Sequence, residues 1–232
     1  GINLENLKAT SANGGTLDSD RAKAALAFWV GMLEYAPPEA RTSTWDEVAA
    51  SMGAGRVAQG WIYLENAGWI ATDETKSNVV GKVGIALPPL YPGVINEAAL
   101  AQGYIGYYDG GALGIPWSSN NKEAAFLWLQ WMARKDVQGE FAKAGGRVVR
   151  TSTFDDPLVV ELDPQVGNYY TMLRTAGPLF KGAPPFPFHR QIFETYYTYV
   201  QKAIAGEMTA EEACDALAKA VDEELVKLGY AE

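Results

Sequence analysis

Apolar residues recur at helical spacing in several separate stretches of this chain, and short β-branched or aromatic runs lie between them. That alternation is the strongest constraint on the fold, because helices and strands that succeed one another pack as layers. In the first stretch, Leu17-Asp18-Ser19-Asp20 supplies N-cap chemistry ahead of Ala22, Ala25, Leu26, Trp29, Val30 and Leu33, and Pro37-Pro38 ends the run. Thr44 and Glu47 form a capping box for a short helix that ends at Gly53 and Gly55. Gly55 to Tyr63 then reads as a strand, Lys82 to Leu87 as a second strand stopped by Pro88-Pro89, and Tyr104 to Ile115 as one or two more.

The second half continues the pattern. Ser118 to Asn121 cap a helix carrying Ala124, Leu127, Trp128, Trp131 and Met132, and a short helix near Val137 to Lys143 ends at Gly145-Gly146. Arg150 to Pro164 is turn-rich, and helical spacing returns from Val166 to Thr175. Pro178, Pro184, Pro185 and Pro187 exclude a continuous helix or central strand between Gly177 and Phe188. Two closing helices follow, one along Ile192, Tyr196, Tyr199, Val200 and Ala203 up to Gly206, the other capped by Thr209 and Glu212. The fold class expected is α/β, with Trp29, Trp128 and Trp131 on core-facing helix faces.

Composition removes several classes of function. A chain with 48% hydrophobic residues can build a packed core, so disorder is set aside. The single cysteine, Cys214, excludes an intramolecular disulfide, and the single histidine, His189, excludes the usual zinc sites and leaves any nucleophile relay only one base. With a formal charge of -9 and scattered basic residues, no phosphate-tracking nucleic-acid surface is expected. The longest apolar run, Ala24 to Leu33, falls short of the ~18 to 20 residues that span a bilayer. The opening Gly1-Ile2-Asn3-Leu4-Glu5 has no basic and apolar signal-peptide pattern, so none is expected within this sequence.

Among local motifs, Gly53-Ala54-Gly55-Arg56-Val57-Ala58 matches a loose dinucleotide pattern, but the helix precedes it and the strand follows, the reverse of the order that chemistry needs. Asp155-Asp156 could be pictured as glycosidase carboxylates, but sequence does not give their separation across the fold, and the reading preferred is a turn before Pro157. The aromatic groups say more. Trp61, Tyr63 and Trp69 follow one expected strand, and Tyr104, Tyr107, Tyr108 and Asp109 precede Gly110-Gly111. Aromatic faces stack on the C–H faces of sugars and polyols while carboxylates bond hydroxyl pairs, so this mixture suits a neutral polyhydroxylated ligand; core packing accounts for Trp61 and Tyr63 equally well.

Four segments together resemble the extracellular solute-binding proteins of carbohydrate ABC importers. They are Leu17-Asp18-Ser19 leading into Ala24 to Tyr35; Trp45-Asp46-Glu47-Val48 with Gly55-Arg56-Val57-Ala58; Val80-Gly81-Lys82-Val83-Gly84 to Pro88-Pro89; and Gly110-Gly111-Ala112-Leu113-Gly114-Ile115-Pro116 running into Ser119 to Ala125. The resemblance implies a periplasmic-binding-protein-like fold of type II, of which this chain is mainly the C-terminal lobe plus a segment of the N-terminal lobe. Residues 1–108 and 158–232 would belong to the C-terminal lobe and 109–157 would return to the N-terminal one.

The same resemblance implies a binding function without catalysis, metal or cofactor. A sugar or polyol would be held in an interlobe cleft and handed to ABC permease subunits, at the periplasm or the outer face of the membrane. The ligand contacts it implies are Trp61, Tyr63, Tyr108, Asp109, Gly110, Gly111, His189 and Arg190, with Ala112 standing where many relatives carry Trp. The missing N-terminal lobe would be the principal partner, and a homodimer is a second way to cover exposed faces. A carbohydrate-active enzyme with a carboxylate pair is the rival from another class. An anionic or peptide ligand is the other rival, and Arg56, Arg147, Arg150 or Arg190 in the cleft would favour the anion.

Overall fold

The structure is a computed structural model that describes residues 1–87, 104–105, 112–181 and 186–230. It divides into two compact units, one made of Gly1–Ser43 with Pro184–Glu232 and the other of Thr44–Ala183.

The first unit is built on three helices, α1 (Asp20–Gly31), α8 (His189–Ala205) and α9 (Ala210–Lys227), whose limits follow their local chemistry. Ser19 Oγ accepts the Ala22 N–H at 3.3 Å to start α1. At the start of α9, Thr209 N–H donates to Glu212 Oε2 at 2.8 Å and Glu212 N–H donates back to Thr209 Oγ1 at 3.1 Å. Gly206, at φ +80°, takes the left-handed conformation that ends α8. Leu26, Val200, Ala203, Ala213 and Cys214 form one buried cluster, and Phe188, Leu217, Val221 and Leu225 form another with Ala9 of the N-terminal loop. The Asp222 carboxylate fastens that loop, accepting from Ala9 N–H and from Thr10 Oγ1 at 2.7 Å.

The second unit contains α2 (Trp45–Gly53), α3 (Leu64–Thr72), α4 (Lys122–Met132), α5 (Lys135–Lys143), α6 (Pro157–Leu162) and α7 (Tyr169–Ala176). Its two-residue strands β1 (Tyr104–Ile105) and β2 (Phe180–Lys181) pair in parallel, Tyr104 opposite Phe180. Ala71, Ala142, Val159, Val166, Tyr169 and Tyr170 form its buried cluster. Asn168 precedes α7 in the left-handed region at φ 61° and provides no side-chain cap. The cap comes instead from Asp163, whose carboxylate accepts Tyr170 N–H at 2.6 Å, Thr171 N–H at 3.1 Å and Thr171 Oγ1–H at 2.5 Å.

Three expectations are corrected. Residues 55–63 form no strand: Gly55 turns the chain at φ +74°, and the next element is α3, whose buried Ala67, Ile70 and Ala71 fall at helical spacing. Residues 82–87 make no ladder either, since Ile85 N–H goes to the carbonyl of Gly167 at 3.3 Å, on a turn. Trp29, Trp128 and Trp131 are 51%, 51% and 47% exposed rather than core. In α1 the packing is done by Ala22, Leu26 and Val30, and Trp29 lies beside that stripe. In α4 the half-buried face is Ala125, Leu129 and Met132, which leaves Leu127, Trp128 and Trp131 outward.

Candidate functional site

Trp61 is 76% exposed, so three-quarters of a large aromatic surface is free of core packing. It lies in the segment that runs beside α2, where a Cβ at Gly60 would meet Val48 Cγ1 at 3.5 Å. Tyr63, half-buried and extended (φ −65°, ψ 144°), is the N-cap of α3. A third ring joins them. Trp45, the first residue of α2, stands edge-on to Tyr63, with ring centroids 5.9 Å apart and an interplanar angle of 89°. Trp45 is placed by the turn before it, where Glu47 Oε2 accepts Thr44 N–H at 2.8 Å and Thr44 Oγ1–H at 2.6 Å. Those two hydrogen bonds, the side-chain one first, hold the Glu47 carboxyl below its ordinary pKa.

Trp69, grouped with Trp61 and Tyr63 on sequence, has a structural part. Its ring occupies the space a Cβ at Gly53 would fill, at 2.6 Å, and its indole N–H donates to Asn66 Oδ1 at 2.8 Å.

In the other unit His189 opens α8, exposed, with its ring stacked on Phe193 at 6.2 Å and 17°. Arg190 is 90% exposed and pairs with Glu194 at 3.5 Å, a surface pair that adds little to stability. Phe193 and Tyr197 continue the column from His189 in steps of four residues and are 49% and 56% exposed. Sequence reasoning missed both, because it followed the Ile192, Tyr196, Val200 stripe; the second aromatic stripe at the same period was the available signal. Trp61 and Tyr63 thus fall in one unit and His189 and Arg190 in the other. Tyr108, Asp109, Gly110 and Gly111 lie outside the described residues.

Residues 4–139, more than half of the sequence, match the family described as bacterial extracellular solute-binding protein. The chain belongs to that family. It is 25% identical over 217 residues to a probable amino-acid ABC transporter periplasmic-binding protein of Sinorhizobium fredii (strain NBRC 101917 / NGR234), covering 93% of this chain and 46% of the relative. Among solved structures it is similar to maltose-bound MalE3 of T. maritima, with a TM-score of 0.78 and 24% identity over 95% of this chain and 53% of that one. A second is the ABC transporter solute-binding protein of Agrobacterium radiobacter K84 in complex with ribitol, with a TM-score of 0.72 and 24% identity over 96% and 52%. These likenesses show the periplasmic-binding-protein-like fold of type II. The chain spans about half the length of the relatives it matches.

The other polar groups singled out in this solute-binding protein have structural partners. Asp155 pairs with Arg174 at 2.6 Å, and Asp156 caps α6 by accepting Leu158 N–H at 3.0 Å. Arg56 donates to Ser51 Oγ at 3.0 Å and Arg150 to the Ala133 carbonyl at 2.9 Å. Cys214 is 4% exposed, and burial pushes its thiol up, away from thiolate chemistry. Among the described residues no group of His, Cys, Asp or Glu is arranged to hold a metal ion, and no helix is long and apolar enough to cross a membrane.

Proposed function

We propose that this family member is the substrate-binding component of an ABC importer, that it takes a sugar or polyol, and that it carries out no chemistry on it. The contacts proposed for the ligand are Trp61, Tyr63, Tyr108, Asp109, Gly110, Gly111, His189 and Arg190. Residues 1–108 and 158–232 would form one lobe, 109–157 would return to the other, and the remainder of that second lobe would correspond to the half of the relatives' length that this sequence does not span. Closure of the lobes around ligand would be the state the permease reads, at the periplasm or the outer face of the membrane.

The observation that carries the ligand class is the exposed Trp61 ring, two residues before the Tyr63 that meets Trp45 edge to face. A flat, uncharged, apolar face is what the C–H face of a sugar or polyol stacks on, and the rings themselves carry no charge for the ammonium and carboxylate of an amino acid. The relatives' names give three chemistries, namely amino acid, maltose and ribitol. Isothermal titration against maltose, ribitol and a panel of amino acids decides between them. Binding heat from a sugar or polyol, with affinity that Trp61→Ala lowers by about 1–2 kcal/mol, is the expected result, and binding of amino acids alone overturns the carbohydrate reading.

A further inference from the structure

We infer that the outward face of α4, made by Ala124, Leu127, Trp128 and Trp131, is the docking surface for the part of the second lobe that this sequence does not span. This rests on the two-lobed reading above, and it adds the face at which the two parts join.

Helix α4 carries more apolar surface than the described structure uses. Among its residues only Lys122, Glu123 and Gln130 are polar, yet none is fully buried. Ala125, Leu129 and Met132 make the half-buried face. Ala124, Leu127, Trp128 and Trp131 recur at i, i+3, i+4 and i+7 as a second stripe, with Leu127, Trp128 and Trp131 each about half exposed. An 11-residue helix does not hold in water by its own hydrogen bonds, so α4 depends on packing that its half-buried face supplies only in part. Its placement is fixed all the same. The buried Gln138 side chain donates to the Met132 carbonyl at 2.8 Å and accepts Val149 N–H at 2.9 Å, which ties the end of α4 to α5 and to the chain beyond it. The stripe is held outward, not left loose.

At about 150–250 Å² for an aromatic side chain, the exposed part of the stripe is on the order of 300 Å², the size of a functional patch. Its chemistry selects the occupant. A lipid surface asks for Lys and Arg beside the apolar stripe, and here Glu123 and Gln130 flank it, on a chain of charge -9. A transient protein partner leaves an interface about as polar as ordinary surface. Leu127, Trp128 and Trp131 without a charge among them resemble a core cut in two, the mark of an obligate contact. A second copy could be obligate too, but a two-fold pair joins a patch to itself. This chain has another such stripe in its other unit, where Ala25, Phe28 and Trp29 of α1 and Met32 just after it are all exposed. Two unlike stripes ask for two contacts between copies, or for one further stretch of the same chain. The relatives have that stretch, since this sequence covers 46%, 53% and 52% of their lengths.

Hydroxyl-radical footprinting of the whole gene product that carries this sequence tests the inference, with the same protein unfolded in urea as reference. Oxidation follows exposed area, so half-exposed rings react about twofold slower than unfolded ones, and rings more than ~95% buried about twentyfold slower. Trp128 and Trp131 are expected to show the larger protection at every protein concentration. Protection of only about twofold overturns the inference, and it leaves the two-lobed reading standing when the same protein binds maltose or ribitol. Protection that disappears on dilution overturns it in favour of a second copy. A gene product no longer than this chain removes the inference and the reading of a further lobe part together.

Discussion

Replacing Asp163 by Ala tests how α7 is started. The helix has a left-handed Asn168 at its N-cap position with no side-chain cap, and its second and third N–H groups, from Tyr170 and Thr171, are both taken by the Asp163 carboxylate. Asp163 is 7% exposed and Tyr170 6%, so no water replaces the lost acceptor easily. An N-cap is worth about 0.5–2 kcal/mol, and a buried N–H left without a partner costs about 1–3 kcal/mol. The carboxylate's own desolvation, relieved in the variant, offsets part of this, so Asp163→Ala should lose about 2–4 kcal/mol. For a chain of this size that is a fall in Tm of about 5–12 °C. Asp163→Asn retains one acceptor but turns an amide N–H₂ toward donors, and should lose about 1–2 kcal/mol. Thermal and urea unfolding give the magnitudes, and hydrogen exchange places the loss in α7 rather than in the helices around α9. If Asp163→Ala stays within about 0.5 kcal/mol of wild type, or costs no more than Asp163→Asn, the account of a remote carboxylate cap is wrong.

Three further outcomes are expected. Trp61→Ala, which removes a ring that is 76% exposed, should leave the unfolding midpoint nearly unchanged while lowering affinity for a stacked sugar or polyol by about 1–2 kcal/mol; the reverse pattern would make Trp61 a packing residue. Gly15→Ala should destabilise by about 2 kcal/mol or more, because its Cβ would lie 2.3 Å from the Ala9 carbonyl carbon and oxygen, which are backbone atoms; an unaltered melting curve would refute the close approach. The carboxyls of Glu47 and Glu212 both titrate below the ordinary glutamate value, the first mainly through the Thr44 hydroxyl and the second mainly through the Thr209 backbone N–H. A depressed folded-state pKa gives stability that is complete above the unfolded value of about 4.3 and is lost as pH falls through the folded one. Wild type should therefore lose more stability on acidification below about pH 4 than a Glu47→Gln, Glu212→Gln variant, and parallel curves would sink the linkage.

What could be read in advance was what neighbouring residues decide among themselves. Both capping boxes, the Ser19 cap, the Gly206 terminator and the turn at Asp156-Pro157 stand where their residue types placed them, since each is closed within a few residues. The start of β1 lies within the strand expected from Tyr104, but the pairing was not legible, because it is settled by distant chain: β1 meets β2 from the far side of four α-helices, and Ile85 meets Gly167. Periodicity found the apolar stripes of α1 and α4 but could not say how far each is covered, and Trp29, Trp128 and Trp131 stay about half exposed. Trp61 and Tyr63 were visible as aromatics ending an apolar run. Trp45 was not, because it was absorbed into the capping motif that positions it.

Three of the candidate rings, though not Trp61, share a place in the local structure. Trp45 is the first residue of α2, Tyr63 the N-cap of α3 and His189 the first residue of α8. A side chain at a helix start has its backbone fixed by the helix while its ring stays clear of the next turn, so it can be ordered and exposed together, as a stacking surface requires. The starts of α3 and α8 carry no side-chain cap hydrogen bond, although Asn66 N–H donates to the Tyr63 carbonyl at 3.0 Å and His189 N–H to the Phe186 carbonyl at 3.1 Å. Helix starts carry partial positive charge and donate hydrogen bonds, which favours ligand oxygens and disfavours an ammonium group. A helix start accepts a carboxylate as readily as a hydroxyl oxygen, so it is the uncharged ring faces and not the helix starts that support the sugar or polyol proposed above over a free amino acid.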